Sequence, residues 1–214
     1  MRDAYQQQLK RLSQELETMG SCCEQIIALA AQALTDYTPE LKSQTTQIGA
    51  QIDESEHTIE TDCLKLLLRQ QPVAGDLRQI SAAIKMITDM ERIGDQAEDI
   101  VELIPYMVKP PQSCPQILEM AKAAQSMAAQ AVQAYIQQDL ELSRRVMEAD
   151  DTVDGYFNEI KKQIIALIAA DPENGEQALD LLMIAKYFER IGDHCTNIAE
   201  WVEFSLTGVH ESCQ

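Results

Sequence analysis

The chain has 214 residues, which allows one large domain or two small ones, and its net charge of −18 excludes nucleic-acid binding through clustered Lys and Arg. Hydrophobic residues make up 45% and aromatic residues only 5%, so we expect a core of Leu, Ile, Ala and Met packed between helices. No stretch approaches the roughly 18 apolar residues of a membrane span and the N-terminus lacks a signal-peptide core, so the sequence predicts a cytoplasmic protein without membrane insertion.

The first half of the chain is predicted to form three helices. The first is expected over residues 4–35, and the second begins at Thr38-Pro39-Glu40, where a hydroxyl can cap the helix and proline fits its first turn. The second helix is expected to end near Arg69, and the third leads into PYMVKPPQSCP, whose four prolines stop it. We therefore predict a first repeat at 1–109 and a second at 110–214.

The second half repeats this pattern. A helix is predicted over residues 115–137, a second from Asp139 to about Ile168, and a third from Asp171-Pro172-Glu173 to a C-terminal stop at Gly208. Neither half shows the alternating pattern of a strand. The prediction is an all-α protein made of two tandem antiparallel three-helix bundles.

The third helix of each half contains the pentapeptide Glu-Arg-Ile-Gly-Asp, in MERIGDQAEDI and FERIGDHCTNI, with Glu91 and Glu189 lying 98 residues apart (189 − 91). The apolar stripe of each helix runs into this acid, so the acidic pairs are expected on or beside the inward face. A helix-interior glycine is unfavourable by roughly 1 kcal/mol relative to alanine. Gly94 and Gly192 therefore indicate a close approach, for which a neighbouring helix is the simplest explanation.

The two acids of each pentapeptide are four residues apart, which places their Cβ atoms roughly 5–6 Å apart. At that distance two carboxylates repel each other by about 3–4 kcal/mol if the local dielectric constant is near 20. Either a raised pKa or a shared cation relieves the repulsion. The alternative is a solvated face, on which Arg92 and Arg190 form ion pairs with Asp95 and Asp193 three residues later.

Further candidate ligands lie nearby on the third helices and on the second helices that precede them. The third helices add Asp89, Glu98, Asp99, Asn197 and Glu200. The second helices add Asp53, Glu54, Glu56, His57, Asp150, Asp151 and Asp154. If the second and third helices of a bundle pack with these groups level, each bundle gains a carboxylate cluster.

The segments QQPVAGDLRQI, MERIGDQAEDI and YFERIGDHCTNIAEWV resemble the PhoU family, and the resemblance extends over essentially the whole chain. It implies two tandem three-helix bundles, each with a multinuclear metal cluster of iron, zinc, magnesium or manganese. By position it implies the metal ligands Glu91, Asp95, Asp99 and Asp53 in the first repeat, and Glu189, Asp193, Asn197, Asp150 and Asp154 in the second.

The sequence departs from the family pattern at one position. The residue of the first repeat that aligns with Asp150 is Gly49. The resemblance therefore implies a first cluster that is smaller, weaker or rearranged, with Glu56 or His57 as candidates to complete it.

The resemblance also implies a function. It predicts a non-enzymatic repressor of phosphate-starvation genes that limits phosphate uptake and contacts a sensor histidine kinase and the ATP-driven phosphate importer. A homodimer is expected from the same resemblance. The residues themselves supply no paired nucleophile and base.

Two alternatives remain at this stage. One is a helical adaptor that binds no metal and satisfies its acids by ion pairs or protonation. The other is a di-iron carboxylate oxidase, a class that needs two Glu-x-x-His motifs on facing helices. The chain offers one such motif, Glu54 to His57.

Overall fold

The computed structural model describes the backbone of residues 2–69, 74–107 and 114–209, and side chains from residue 5 onward within these ranges except that of Arg69. This part of the chain contains helices and no strand. The helices are α1 (Arg2–Ala33), α2 (Pro39–Arg69), α3 (Ala74–Leu103), α4 (Pro115–Gln137), α5 (Leu140–Ala170) and α6 (Gly175–Thr207). Single 3₁₀ turns follow α3 at Ile104–Tyr106 and precede α6 at Pro172–Asn174.

The helix ends follow the local signals in the sequence. Thr38 Oγ1 accepts a hydrogen bond from Leu41 N at 3.1 Å, and Asp139 Oδ1 accepts one from Leu142 N at 2.9 Å, so both predicted N-caps are confirmed. At the other end of the chain, Gly208 has φ 79° and terminates α6, as predicted.

The α-helix that was predicted to follow the Asp171 cap begins three residues later than expected. Asp171 caps a 3₁₀ turn through a 3.0 Å hydrogen bond from Glu173 N, and Asn174 N donates to Asp171 O. This tighter i→i+3 pattern delays the α-helix, which begins at Gly175.

The helices form two three-helix bundles, α1–α3 and α4–α6, which confirms the predicted fold class. The bundles pack against each other through α1 with α4 and through α3 with α6. The core consists mainly of Leu, Ile, Ala and Met, as predicted, and Phe188 is a fully buried aromatic within it. The predicted repeat boundary between residues 109 and 110 lies outside the described residues.

The pentapeptide glycines bring the second and third helices of each bundle close together. A Cβ atom placed on Gly94 would lie 3.2 Å from Ile52 Cδ1, and one on Gly192 would lie 3.2 Å from Val153 Cγ1. The close approach to a neighbouring helix is therefore confirmed in both repeats, and Ile52 and Val153 occupy equivalent places.

In the described part of the chain, no helix is both long enough and apolar enough to cross a membrane.

Candidate metal centres

Carboxylates of α2 and α3 meet on one side of the first bundle. Burial and the charge of Asp95 raise the pKa of Glu91, and the charges of Asp53 and Glu56 raise it further, although the guanidinium of Arg92 acts in the opposite direction. The charges of three acids from two helices thus reach Glu91, and we call the four residues the first cluster: Glu91, Asp95, Asp53 and Glu56. The sequence named Glu56 and His57 only as candidates to complete this cluster. Glu56 belongs to it, whereas His57 is exposed on α2.

A denser group, the second cluster, lies between α5 and α6, and it consists of Asp150, Asp154, Glu189 and Asp193. Burial raises the pKa of Asp150 to about 6, with contributions from the charges of Asp193, Asp154, Glu189 and Asp151 in that order. Burial and Glu189 also raise the pKa of Asp193, partly offset by Lys186. The four acids among the predicted ligands of this repeat therefore share one electrostatic environment. The fifth predicted ligand, the amide Asn197, is not part of it.

Basic side chains partly neutralise both clusters. Arg92 Nη1 lies 2.8 Å from Asp95 Oδ2, and Arg92 Nε lies 3.3 Å from Glu91 Oε2. Lys186 pairs with Glu189. The charge of Arg190 lowers the pKa of Asp99, whereas an ion pair with Asp193 had been considered from the sequence. Because Arg92 is 53% exposed, its ion pairs contribute little free energy and a cation could displace them.

No three His, Cys, Asp or Glu side chains among the described residues are already arranged around a common point where they could hold a metal ion. Three of the cluster carboxylates are held in ion pairs instead, Glu91 and Asp95 with Arg92 and Glu189 with Lys186. Binding a cation would therefore require side-chain rotation.

Asp99 and Asn197 lie at a different place from the other predicted ligands. Asn197 Nδ2 donates to Asp89 Oδ1 at 3.0 Å, and the Tyr187 hydroxyl donates to the Asp99 carboxylate. Both contacts join α3 to α6, so these two residues belong to the interface between the repeats. A ligand role for either one would require that its interface contact be broken.

The α3/α6 interface is built from equivalent positions of the two repeats. Asp89 Oδ1 also lies 2.9 Å from His194 Nδ1. Asp89 and Tyr187 are equivalent by the duplication, and so are Asp99 and Asn197. The Asp89–Asn197 and Asp99–Tyr187 pairs are therefore two copies of one contact, which the sequence did not reveal because it spans the bundles.

Replacing Asp89 with alanine is expected to weaken this interface. The change removes the partner of His194 and Asn197, so we expect the free energy of unfolding to fall by about 1 kcal/mol. Thermal unfolding of Asp89→Ala, Asn197→Ala and the double variant would measure it, with Glu17→Ala on an exposed face of α1 as control. The two changes should be less than additive. Strict additivity would show that the contact does not operate in solution.

Comparison with known proteins explains the duplication. The family model described as the PhoU domain matches the chain twice, over residues 16–104 and 117–202.

The chain belongs to the PhoU family.

Relatives with this family's name match over nearly the entire chain. A protein of Clostridium acetobutylicum, named phosphate-specific transport system accessory protein PhoU homolog, is 31% identical over 210 residues, which are 97% of this chain and 96% of the relative. A Synechocystis protein of the same name is 33% identical over 212 residues, covering 98% of this chain and 94% of the relative.

Solved PhoU structures share the fold. The crystal structure of PhoU from Pseudomonas aeruginosa is 29% identical, covers 96% of this chain and 100% of its own, and superposes with a TM-score of 0.86. The phosphate transport system regulatory protein PhoU from Streptococcus pneumoniae is 24% identical and shows the same fold, with a TM-score of 0.89 over 96% of this chain and 98% of its own.

The residues of this PhoU-family chain fit the carboxylate clusters that the family resemblance implies. The donor set consists of carboxylate oxygens, which suit hard and borderline cations. In the second repeat, Asp150 has a pKa raised to about 6, and the buried Thr196 Oγ1 lacks a hydrogen-bond partner within the described chain. The described protein atoms alone therefore leave the ionised Asp150 carboxylate in an unfavourable environment and the Thr196 hydroxyl without a hydrogen-bond partner.

Proposed function

We propose that this chain is a metal-binding cytoplasmic regulator of phosphate uptake and of phosphate-starvation signalling. The observation that carries the proposal is the match of both repeats to the PhoU domain, together with full-length relatives that are named accessory proteins of the phosphate-specific transport system. Those names describe an accessory role, which supports a protein that acts by contact rather than by catalysis.

The proposed partners are a phosphate ABC importer and a sensor histidine kinase, between which the chain acts as an adaptor, and a second copy of itself. Long helices with polar outer faces provide surfaces for such contacts. The net charge of −18 disfavours an anionic membrane surface, so we place the contacts on the partners' cytoplasmic domains.

The residues that would hold metal are the two carboxylate clusters. In the first repeat they are Glu91, Asp95, Asp53 and Glu56, and in the second they are Glu189, Asp193, Asp150 and Asp154. A bound cation would supply positive charge to balance the carboxylates of the second and third helices. The protein's own side chains bring the oxygens from two helices to one face and set the charge that this face presents to a partner.

A metal-free adaptor is the second candidate, and specific contacts favour it. Arg92 bridges Glu91 and Asp95, and Lys186 pairs with Glu189, so part of the acidic charge is already balanced. The oxidase alternative gains no such support, because its single Glu-x-x-His motif, Glu54 to His57, is exposed at both ends.

The two candidates predict different behaviour in a cell from which the gene has been deleted. The wild-type gene should restore repression of a phosphate-starvation reporter when phosphate is plentiful, and an Asp95→Asn/Asp193→Asn variant should not, because each repeat then lacks one ligand. A Glu17→Gln variant is the control for loss of one surface charge. Reporter activity, protein level and metal content would be measured together.

The outcomes separate the hypotheses. Full repression by the Asp95→Asn/Asp193→Asn variant, with its metal content lost, would establish the metal-free adaptor. Failure of the wild-type gene to repress would contradict the regulatory role itself.

A further inference from the structure

We propose that Glu98 supplies to the first cluster the carboxylate that Asp150 supplies to the second, and that it does so from the opposite helix. The inference rests on the proposed metal-binding function and concerns only which residue completes the first cluster. It accounts for Gly49, where the first repeat lacks an acid.

The packing glycines establish which positions correspond. Gly94 contacts Ile52 and Gly192 contacts Val153, so α2 and α5 are aligned with Ile52 at the place of Val153. Three residues earlier on each helix, Gly49 corresponds to Asp150. Four residues after each packing glycine, Glu98 of α3 corresponds to Thr196 of α6.

The Glu98 carboxyl group fills the space that a side chain at position 49 would need. A Cβ atom placed on the buried Gly49 would lie 2.6 Å from Glu98 Cδ, 2.6 Å from Oε1 and 2.9 Å from Oε2. In the second repeat the arrangement is reversed. Asp150 extends from α5 until its Oδ1 lies 3.0 Å from a Cβ placed on Gly192, and α6 carries the shorter Thr196.

Glu98 also belongs electrostatically to the first cluster. The charges of Asp53 and Asp95, which are both predicted ligands, act on its carboxyl group and, with burial as the largest cause, raise its pKa. The Thr46 hydroxyl donates one hydrogen bond to it. A carboxylate has about four acceptor positions, so the remaining ones are available to a cation.

This arrangement gives Gly49 a physical reason. Glycine inside a helix is unfavourable by roughly 1 kcal/mol relative to alanine, so its presence in α2 needs an explanation. Any Cβ at this position would displace the Glu98 carboxyl group. Gly49 and Glu98 thus form a pair in which the glycine makes room for an acid from the facing helix.

The sharpest test is Gly49→Ala, which removes no charge and no oxygen. Because alanine favours the helix, the Tm of the metal-stripped variant should be unchanged or higher. Because the new methyl group pushes the Glu98 carboxyl group away, Mn²⁺ affinity of the first repeat should fall. Binding would be followed in the full chain by electron paramagnetic resonance of free Mn²⁺, with Asp150→Asn/Asp193→Asn as background to silence the second repeat.

Direct replacement of the acid completes the set. In the same background, Glu98→Gln should lower Mn²⁺ affinity by at least about tenfold, the loss seen when even an outer-shell partner of a metal site is removed. Glu102→Gln is the matched control, because Glu102 lies one turn further along α3 and is exposed. Gly49→Asp/Glu98→Thr, which copies the second repeat, should recover most of the affinity.

The results distinguish this inference from the proposed function. Unchanged Mn²⁺ affinity in Glu98→Gln and Gly49→Ala, with Asp95→Asn weakened, would overturn the role of Glu98 and leave the metal centre intact. A folded Gly49→Asp/Glu98→Thr variant that binds as weakly as Glu98→Gln would also overturn it. Unchanged binding in Asp95→Asn as well would instead contradict the proposed metal function.

Discussion

Adding Mn²⁺ to the metal-stripped chain is expected to raise its Tm by about 5–10 °C for each of the two carboxylate clusters that it fills. A ligand that binds only the folded state at 100 times its Kd contributes about 2.7 kcal/mol per site. For a chain of this length, each kcal/mol shifts Tm by roughly 2–4 °C. The oxygens of each cluster come from two helices and meet only in the folded bundle, so the unfolded chain offers no comparable site. Differential scanning calorimetry with and without Mn²⁺ measures the shift.

Variants separate specific binding from screening of the acidic surface. The shift should be largely lost in Asp95→Asn/Asp193→Asn and retained in Glu17→Gln, whose charge lies on an exposed face of α1. KCl at equal ionic strength should give a much smaller rise, because it only screens the surface charges. An equal rise with KCl, or in the double variant, would show that Mn²⁺ acts non-specifically.

Replacing Asp150 with asparagine is expected to stabilise the metal-free chain at neutral pH. The folded-state pKa of Asp150, about 6, lies above its ordinary value of 3.8 because of burial and four neighbouring acids. The folded chain therefore binds this proton more tightly than the unfolded chain, and stability falls as pH rises from about 4 to 6. Above pH 6 the ionised carboxylate opposes folding, and asparagine removes that charge while keeping the shape.

The expected gain at pH 7.5 is about 1–2 kcal/mol, after the shift is discounted for solvent screening at a half-buried site. The gain should largely vanish near pH 3, where Asp150 is mostly protonated in both the folded and the unfolded state. Asp151→Asn, at the next and exposed position of α5, is the matched control and should change Tm little. Equal stabilisation by both variants, or a gain that persists undiminished at pH 3, would contradict the role given to burial. With Mn²⁺ present, the sign should reverse for Asp150→Asn, because a ligand is lost.

The helices and most of their ends could be predicted from sequence because their signals are local. Thr38 and Asp139 cap helices whose first turns follow directly, and Gly208 supplies the left-handed residue that ends α6. Asp171 misled the prediction because a side-chain cap followed by proline starts a 3₁₀ turn as readily as an α-helix. The choice depends on residues beyond the motif.

The sequence identified the acidic pairs of the two pentapeptides. It did not show which neighbouring helix Asp99 and Asn197, the next residues at the same spacing, would face. A spacing of four residues advances about 40° beyond a full helical turn, so a third residue points about 80° away from the first. Glu91 and Asp95 face α2, whereas Asp99 has rotated toward α6. Asn197 follows the same rotation from Glu189 and meets Asp89. Which helix stands at that angle is a property of bundle packing, which the sequence does not encode locally.

The sequence contains a pattern that indicates the proposed role of Glu98, but the pattern could be interpreted only with the structure. The first repeat has glycine at 49 and an acid at 98, whereas the second has an acid at 150 and threonine at 196. The exchange is visible once the two repeats are aligned. That the positions face each other became clear only from the contact between the Gly49 backbone and the Glu98 carboxyl group.

The Gly49–Glu98 contact also constrains how this chain can change by mutation. An aspartate at 49 collides with Glu98, and a threonine at 98 beside Gly49 leaves the first repeat one acid short, so either single step is disfavoured. Residues in direct contact tend to covary. Among descendants of a common ancestor we therefore expect these two positions to switch together, leaving each lineage with one of two interchangeable solutions and few intermediates.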